Sequence, residues 1–73
     1  MKAIINLTTI AELPCRISYQ TKGHVSFKIG RDIATSDTLN ALGKMGDVAL
    51  YGYSDYVSVT LGTCFVESII YVD

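Results

Sequence analysis

Tyrosine and charged side chains are the residues of this 73-residue chain whose placement suggests a chemistry, because both kinds are unevenly distributed. All six basic residues lie within the first 45 positions, whereas residues 46–73 contain four carboxylates and four of the five tyrosines. The first 45 residues carry a net charge of +3 and the last 28 a net charge of −4. Tyrosine combines an apolar ring with a hydroxyl group and is enriched at protein interfaces. The C-terminal part therefore predicts a surface that binds a protein partner of basic character.

The predicted contact residues lie on strands and turns of this C-terminal part. They are Tyr51, Tyr53, Asp55, Tyr56, Phe65 and Glu67. Tyr53 and Tyr56 flank a turn predicted at Ser54-Asp55, which would place the two rings opposite each other. Tyr71 is the tyrosine that we expect to serve the fold rather than binding. The alternative is that the helix covers this face, in which case the tyrosines mainly support the fold.

A second surface, suited to an anion, is predicted on a hairpin near the N-terminus. Its residues are Arg16, Lys22, His24 and Lys28. Arg16 is expected opposite Lys28, and an anionic partner would relieve the repulsion between these like charges. Nucleic acid is therefore an alternative partner. Two observations weigh against it: the predicted face has no aromatic side chain on which bases could stack, and the net charge of the chain is −1.

The remaining reactive side chains form no catalytic or metal-binding pattern. His24 is the single histidine, and no carboxylate or thiol is expected beside it on its predicted face. Cys15 and Cys64 are too few for a disulfide framework and lack zinc spacing, so both are expected to be buried free thiols. The glycines form no phosphate-binding loop. We expect a protein that is not an enzyme and that has no cofactor and no metal site.

Composition indicates one folded domain spanning residues 1–73. With 49% hydrophobic and 18% charged residues, the chain is too apolar for a disordered protein. No apolar run approaches the ~20 residues of a membrane-spanning helix, and the N-terminal residues lack the pattern of a signal peptide. We therefore expect a cytoplasmic protein that does not associate with membranes.

Three strands are predicted in the N-terminal part. Ala3–Leu7 is an apolar run typical of a strand that is buried on both faces. Cys15–Gln20 and His24–Ile29 alternate in hydrophobicity around residues 21–23, which predicts a hairpin with a three-residue loop. In that register the apolar residues of one strand face those of the other; the pairs are Cys15 with Ile29, Ile17 with Phe27, and Tyr19 with Val25.

A short helix is predicted between residues 31 and 46, where the alternation stops. Thr35 or Ser36 can cap its N-terminus, and Gly43 or Gly46 can end it in a left-handed conformation. Its apolar stripe consists of Leu39, Leu42 and Met45. A helix this short is not stable alone, so it must pack against the sheet.

Residues 47–73 predict a three-stranded meander with two-residue turns at positions 54–55 and 62–63. This register sorts the side chains into two faces. The aliphatic face comprises Val48, Leu50, Gly52, Val57, Val59, Leu61, Cys64, Val66, Ser68, Ile70 and Val72. The tyrosine face comprises Ala49, Tyr51, Tyr53, Tyr56, Ser58, Thr60, Phe65, Glu67, Ile69 and Tyr71. Ser68–Val72 is uncharged and would invite aggregation as a free edge, so we expect it to pair centrally with Ala3–Leu7, or across a two-fold axis in a dimer.

These elements predict an α+β fold, with five or six antiparallel strands and one short helix in the order βββαβββ. The expected function is that of a small non-enzymatic protein-binding module. In size and lack of motifs the chain is similar to inhibitors and adaptors encoded by phages and mobile elements, which would place it in a host cytoplasm. No residue pattern identifies a family. The alternatives are a homo-oligomeric structural protein and a protein that contacts nucleic acid.

Overall fold

Six antiparallel strands form one sheet, and one short helix follows the third strand, in the computed structural model, which describes residues 2–73. The strands are β1 (Lys2–Leu7), β2 (Leu13–Thr21), β3 (His24–Gly30), β4 (Val48–Gly52), β5 (Tyr56–Gly62) and β6 (Val66–Val72). The helix is α1 (Ser36–Gly43), and a short 3-10 turn, Thr63–Phe65, connects β5 to β6. The predicted α+β class and the order βββαβββ are confirmed.

The strands lie in the order β4-β5-β3-β2-β1-β6, so β4 and β6 form the two edges of the sheet. Strand β3 pairs with β2 on one side and with β5 on the other, which joins the N-terminal hairpin to the C-terminal one. Lys28, for example, lies between Arg16 of β2 and Ser58 of β5. This pairing places the basic part and the tyrosine-rich part of the chain side by side in one sheet.

One face of the sheet, called the inner face below, carries the hydrophobic core. Buried positions alternate along β5, and the matching apolar positions of β3 are fully enclosed. The core comprises Ala3, Ile5, Leu7, Leu13, Cys15, Val25, Phe27, Ile29, Leu42, Met45, Val57, Val59 and Leu61. Each large apolar side chain that is fully buried contributes about 1.5–3 kcal/mol. The opposite side, called the outer face, carries the alternate positions of the same strands.

Helix α1 packs on the inner face and leaves the tyrosines uncovered. Thr35 is its N-cap, and its Oγ1 accepts a hydrogen bond of 3.3 Å from the backbone N–H of Thr38. Leu42 is fully buried in the core. The helix ends at Gly43 without a left-handed residue, and Gly46 adopts that conformation instead, with φ of +99°. No helix within residues 2–73 is long and apolar enough to cross a membrane.

The β2–β3 hairpin contains a bulge that the alternation did not predict. Ile17 pairs with Phe27 as expected, but the register then shifts, and Tyr19 pairs with Ser26 rather than with Val25. A bulge inserts one extra residue into one strand, so the side chains that follow it change face. Tyr19 therefore lies on the outer face instead of in the core, and it is 51% exposed.

The turn of this hairpin is also tighter than predicted. Thr21 pairs with His24, so the loop consists of Lys22 and Gly23 alone. Gly23 has a φ of +91°, a conformation that glycine adopts without steric cost. The predicted three-residue loop is wrong because the bulge has already shifted the register by one.

The first C-terminal reversal is confirmed and the second is wrong. The backbone N–H of Tyr53 donates to the carbonyl oxygen of Tyr56 at 2.8 Å, which closes the two-residue turn at 54–55. Strand β5, however, has β4 on one side and β3 on the other, so no side remains for β6. The meander is interrupted at Thr63–Phe65, where the chain leaves β5 and crosses to the far edge of the sheet.

Strand β6 pairs with β1 as predicted, but at the edge of the sheet rather than centrally, and with the faces of residues 68–72 exchanged. Ile69 pairs with the buried Ile5, and Tyr71 pairs with the buried Ala3, so both lie on the inner side. The predicted core residue Ile70 is 50% exposed on the outer side. Val66 lies opposite the buried Leu7 on the inner side, as predicted, but Glu67 is an extra residue in the pairing, and this bulge exchanges the faces of the residues that follow it.

Candidate functional site

The outer face brings together the two surfaces that the sequence predicted separately. Across neighbouring strands, Arg16 pairs with Lys28, Lys28 pairs with Ser58, and Ser58 pairs with Tyr51. A second row runs from Tyr19 through Ser26 and Thr60 to Ala49. Because directly opposed residues project from the same face, cations, rings and small side chains share one surface.

Three tyrosines form a stacked cluster at one end of the outer face. The ring centroids of Tyr53 and Tyr56 are 4.7 Å apart with an interplanar angle of 24°. The rings of Tyr51 and Tyr53 are 4.8 Å apart and tilted by 44°. Tyr51 is 65% exposed and Tyr53 is 44% exposed. This tyrosine cluster, Tyr51, Tyr53 and Tyr56, is therefore held in place by its own ring contacts while it remains open to a partner.

Two cations position the tyrosine cluster. Lys28 Nζ lies 4.8 Å from the centroid of the Tyr56 ring, within the range of a cation–π contact. Arg31 Nε donates a hydrogen bond of 2.9 Å to the backbone carbonyl of Tyr53, and its Nη2 contacts the same oxygen. A Cβ atom at position 52 would lie 3.2 Å from Arg31 Nη2, so Gly52 leaves room for the guanidinium. The end of the β4–β5 hairpin is thus held by Lys28 on the outer face and by Arg31 on the inner side.

Three cations form a row across β1, β2 and β3. Arg16 pairs with Lys28, and extension of the β1–β2 register by one residue places Lys2 beside Arg16. All three line an open pocket of about 430 Å³. Asp32 also lines this pocket, and a Cβ atom at Gly30 would lie 2.6 Å from its Oδ1. The row Lys2, Arg16 and Lys28 is called the cation row below.

Acidic side chains are largely kept off this face. Among the strand residues of the described chain, Glu67 is the single carboxylate, and it lies at the bulge of β6, at the far edge. Asp55 lies in the β4–β5 turn and Asp32 in the loop after β3. The one ion pair within 4.0 Å that residues 2–73 form is between His24 Nε2 and Asp47 Oδ2, at 3.9 Å. The cation row therefore has no ion-pair partner in that part of the chain.

The six predicted contact residues do not form one cluster. Tyr51, Tyr53 and Tyr56 lie together, with Asp55 exposed in the adjoining turn. Phe65 lies in the 3-10 turn and packs against the core, and Glu67 lies on the opposite edge strand. They are separated because the second reversal is not a hairpin.

The predicted anion-binding residues are placed differently from one another. Arg16 and Lys28 lie side by side on the outer face, whereas Lys22 lies in the hairpin turn. His24 is exposed at the start of β3, and the carboxylate of Asp47 lies beside it, contrary to the expectation of no acidic neighbour. Sequence reasoning missed Tyr19 and Lys2 as members of this surface, because the β2 bulge and the β1–β2 register leave no local signal. Arg31 approaches the hairpin end from the inner side, since a Cβ atom at Gly52, which pairs with the buried Val57, would point towards its guanidinium.

The two cysteines differ from the expectation that both are buried. Cys15 is buried in the core, and burial raises the pKa of its thiol to about 11. Cys64 is exposed in the 3-10 turn. Within residues 2–73 no three histidine, cysteine or acidic side chains come together as metal ligands.

Tyr71 and the β6 edge form a separate region. The Tyr71 hydroxyl donates to Gln20 Oε1 at 3.3 Å, yet Tyr71 is 52% exposed. Ile70 and Val72 are also exposed, and β6 pairs with a strand on one side only. This edge is a second region at which a strand of another chain can pair with the sheet.

No known protein family, curated protein or solved structure matches the chain.

Proposed function

We propose that this protein is a non-enzymatic binding module whose outer face binds a macromolecule that presents several negative charges. The observation that carries the proposal is the shared face of the cation row and the tyrosine cluster, joined by the Lys28–Tyr56 contact. Rigid tyrosine rings supply contact area at little entropic cost, and cations beside them supply attraction and orientation.

The sign of the partner's charge follows from the placement of the cations. The sequence alone suggested a basic partner, because the tyrosine-rich part of the chain is acidic. On the sheet, however, the charged neighbours of the tyrosine cluster are Lys28 on the outer face and Arg31 on the inner side, with Asp55 in the adjoining turn. Arg16 and Lys28 are adjacent like charges, and their repulsion falls when an anionic group lies between them.

Retention on immobilised heparin, a polyanion, tests this proposal. A chain of net charge −1 with dispersed charges would pass through such a column at pH 7, whereas a clustered cation row retains the protein at low ionic strength. Lys28→Ala should abolish or greatly reduce retention. Lys44→Ala is the matched control, since it removes the same charge from an exposed site beyond helix α1.

Equal elution of wild-type protein and both variants would overturn the proposal. Far-UV circular dichroism checks that each variant is folded, and both substituted side chains are exposed, so folding should persist. The cytoplasm, including a host cytoplasm, is the compartment that we propose for this activity.

Self-association through β6 is the second candidate function. Its supporting observation is the exposed, uncharged edge with Ile70, Tyr71 and Val72. Such an edge can accept a strand from a second copy. Light scattering after size-exclusion chromatography tests it: a stable dimer supports the candidate, and a monomer at high concentration removes it.

A further inference from the structure

We infer that the anionic partner of the outer face is a single-stranded nucleic acid. This inference rests on the proposed function and names the partner class of the same site. Proteins that bind single strands combine a basic track for the phosphates with aromatic rings for the bases. The outer face has both features, and the sequence had placed them in separate halves of the chain.

The cation row offers a track for a phosphate backbone. Neighbouring strands lie about 4.8 Å apart, so Lys2, Arg16 and Lys28 span about 10 Å. A flexible single strand can adjust the separation of its phosphates, so a short run of them can lie along this row. Within the described chain no carboxylate lies within ion-pair distance of the three cations, so a phosphate does not have to displace one.

Two exposed rings flank the middle of the outer face. Tyr51 is 65% exposed and Tyr19 is 51% exposed. Their strands, β4 and β2, lie three strand spacings or about 14 Å apart, and the two tyrosines belong to neighbouring rows of the face. The residues between them on β5 and β3 are the small Ser58, Thr60 and Ser26, together with Lys28 of the cation row. Because both side chains are more than half exposed, a base can reach either ring.

The rings distinguish a single strand from the other polyanions. A duplex hides the faces of its bases in the stack, so it can contact the cation row but not the rings. An acidic protein also satisfies the cations, but its carboxylates do not stack on the rings, whereas each nucleotide of a single strand carries both a phosphate and a base that does. Only an unpaired strand supplies phosphates and free base faces together.

Fluorescence anisotropy with a labelled oligo(dT) of about 12 nucleotides tests the inference. Three phosphate contacts should lower the affinity about 20-fold between 50 and 200 mM salt, since each contributes about 0.7 to the single-strand salt slope. Lys28→Ala should reduce that slope by about 0.7, whereas Lys44→Ala should leave it unchanged.

The tyrosine variants make the test specific for stacking. Tyr51→Ala should weaken binding about 5- to 150-fold, whereas Tyr51→Phe, which keeps the ring, should retain it. Tyr71→Ala is the control, since Tyr71 is comparably exposed but lies on the inner side. An affinity for oligo(dT) that is the same for Tyr51→Ala and for the wild-type protein would overturn the inference.

Failure of the inference can be told apart from failure of the proposed function. If heparin retention depends on Lys28 but oligo(dT) does not bind, the outer face binds polyanions but not single strands. The proposed function then stands and the single-strand inference is overturned. Tighter binding of a duplex or of poly-glutamate than of oligo(dT) would also overturn it and would indicate another partner class. If heparin retention does not depend on Lys28, both fall.

Discussion

Lys28 Nζ lies 4.8 Å from the centroid of the Tyr56 ring, which joins a cation of β3 to an aromatic ring of β5. The two residues belong to opposite charge halves of the chain and meet because β3 pairs with β5. A surface contact of this kind contributes only about 0.5–1 kcal/mol to stability. The pairing of β3 with β5 has the larger consequence, because it places cations and tyrosines on one face of the sheet.

The middle ring of the tyrosine cluster should stabilise the hairpin end. Tyr53 contacts both Tyr51 and Tyr56, and each aromatic pair contributes about 0.5–1.5 kcal/mol beyond burial. We therefore expect Tyr53→Ala to lower the free energy of unfolding by about 1–3 kcal/mol in urea titrations. Tyr19→Ala, at an exposed tyrosine outside the cluster, should cost clearly less; an equal loss at both positions would contradict the stacking described here.

Asp32 should weaken anion binding, because it is the acidic residue that lines the pocket of the cation row. Asp32→Asn removes its charge and nearly preserves its shape. We expect heparin and oligo(dT) to bind about 2- to 5-fold more tightly, because the substitution removes a repulsion of about 1 kcal/mol between the Asp32 carboxylate and the anion. Asp37→Asn, in the helix, is the control with the same charge change. Weaker binding by Asp32→Asn would contradict this prediction, and unchanged binding would show that the pocket is not part of the site.

The two glycines after Leu42 should respond to alanine in opposite directions. Gly46 has a φ of +99°, so Gly46→Ala forces a left-handed conformation and should cost about 1–2 kcal/mol. Gly43 closes helix α1 at a φ outside that region, with nothing within 4 Å of an added Cβ. Gly43→Ala should therefore stabilise the protein by about 0.5–1 kcal/mol. Thermal unfolding of both variants checks the signs, and a gain at Gly46 would refute the backbone geometry.

Cys64 should react with iodoacetamide at pH 8 and Cys15 should not. The thiolate is the reactive form, and burial raises the pKa of Cys15 to about 11, so folded Cys15 is almost entirely protonated at that pH. Cys64 is exposed and free. Mass spectrometry of the intact protein should show one added group, and a second should appear only in denaturant. Modification of Cys15 at the same rate as Cys64 in folded protein would contradict its burial.

The local elements could be predicted from the sequence, since alternation and turn residues report on nearest neighbours. The strands, the helix with its Thr35 cap and the turn at 54–55 all follow from such signals. The pairing of Ile17 with Phe27 was predicted for the same reason. Local patterns therefore gave the fold class and one complete hairpin register.

Long-range pairing could not be predicted, and the outer face depends on it. Whether β5 pairs with β6 or with β3 is decided by which arrangement encloses Phe27 and Val59, and nothing local records that choice. The bulge that moves Tyr19 to the outer face also leaves no signal in the sequence, because the apolar alternation continues through it. The sequence therefore suggested two separate surfaces where the sheet has one.

Chemical-shift mapping of the ¹⁵N-labelled protein with oligo(dT) most directly tests whether the outer face is the binding surface. Binding at the outer face should shift the backbone amide signals of Lys28, Ser58 and Tyr51 on titration, together with those of Arg16 and Tyr19. Amides of Leu42 and Met45, on the inner side, should stay in place. Shifts confined to α1 or to β6, or no shifts at saturating oligonucleotide, would show that the outer face is not the binding surface.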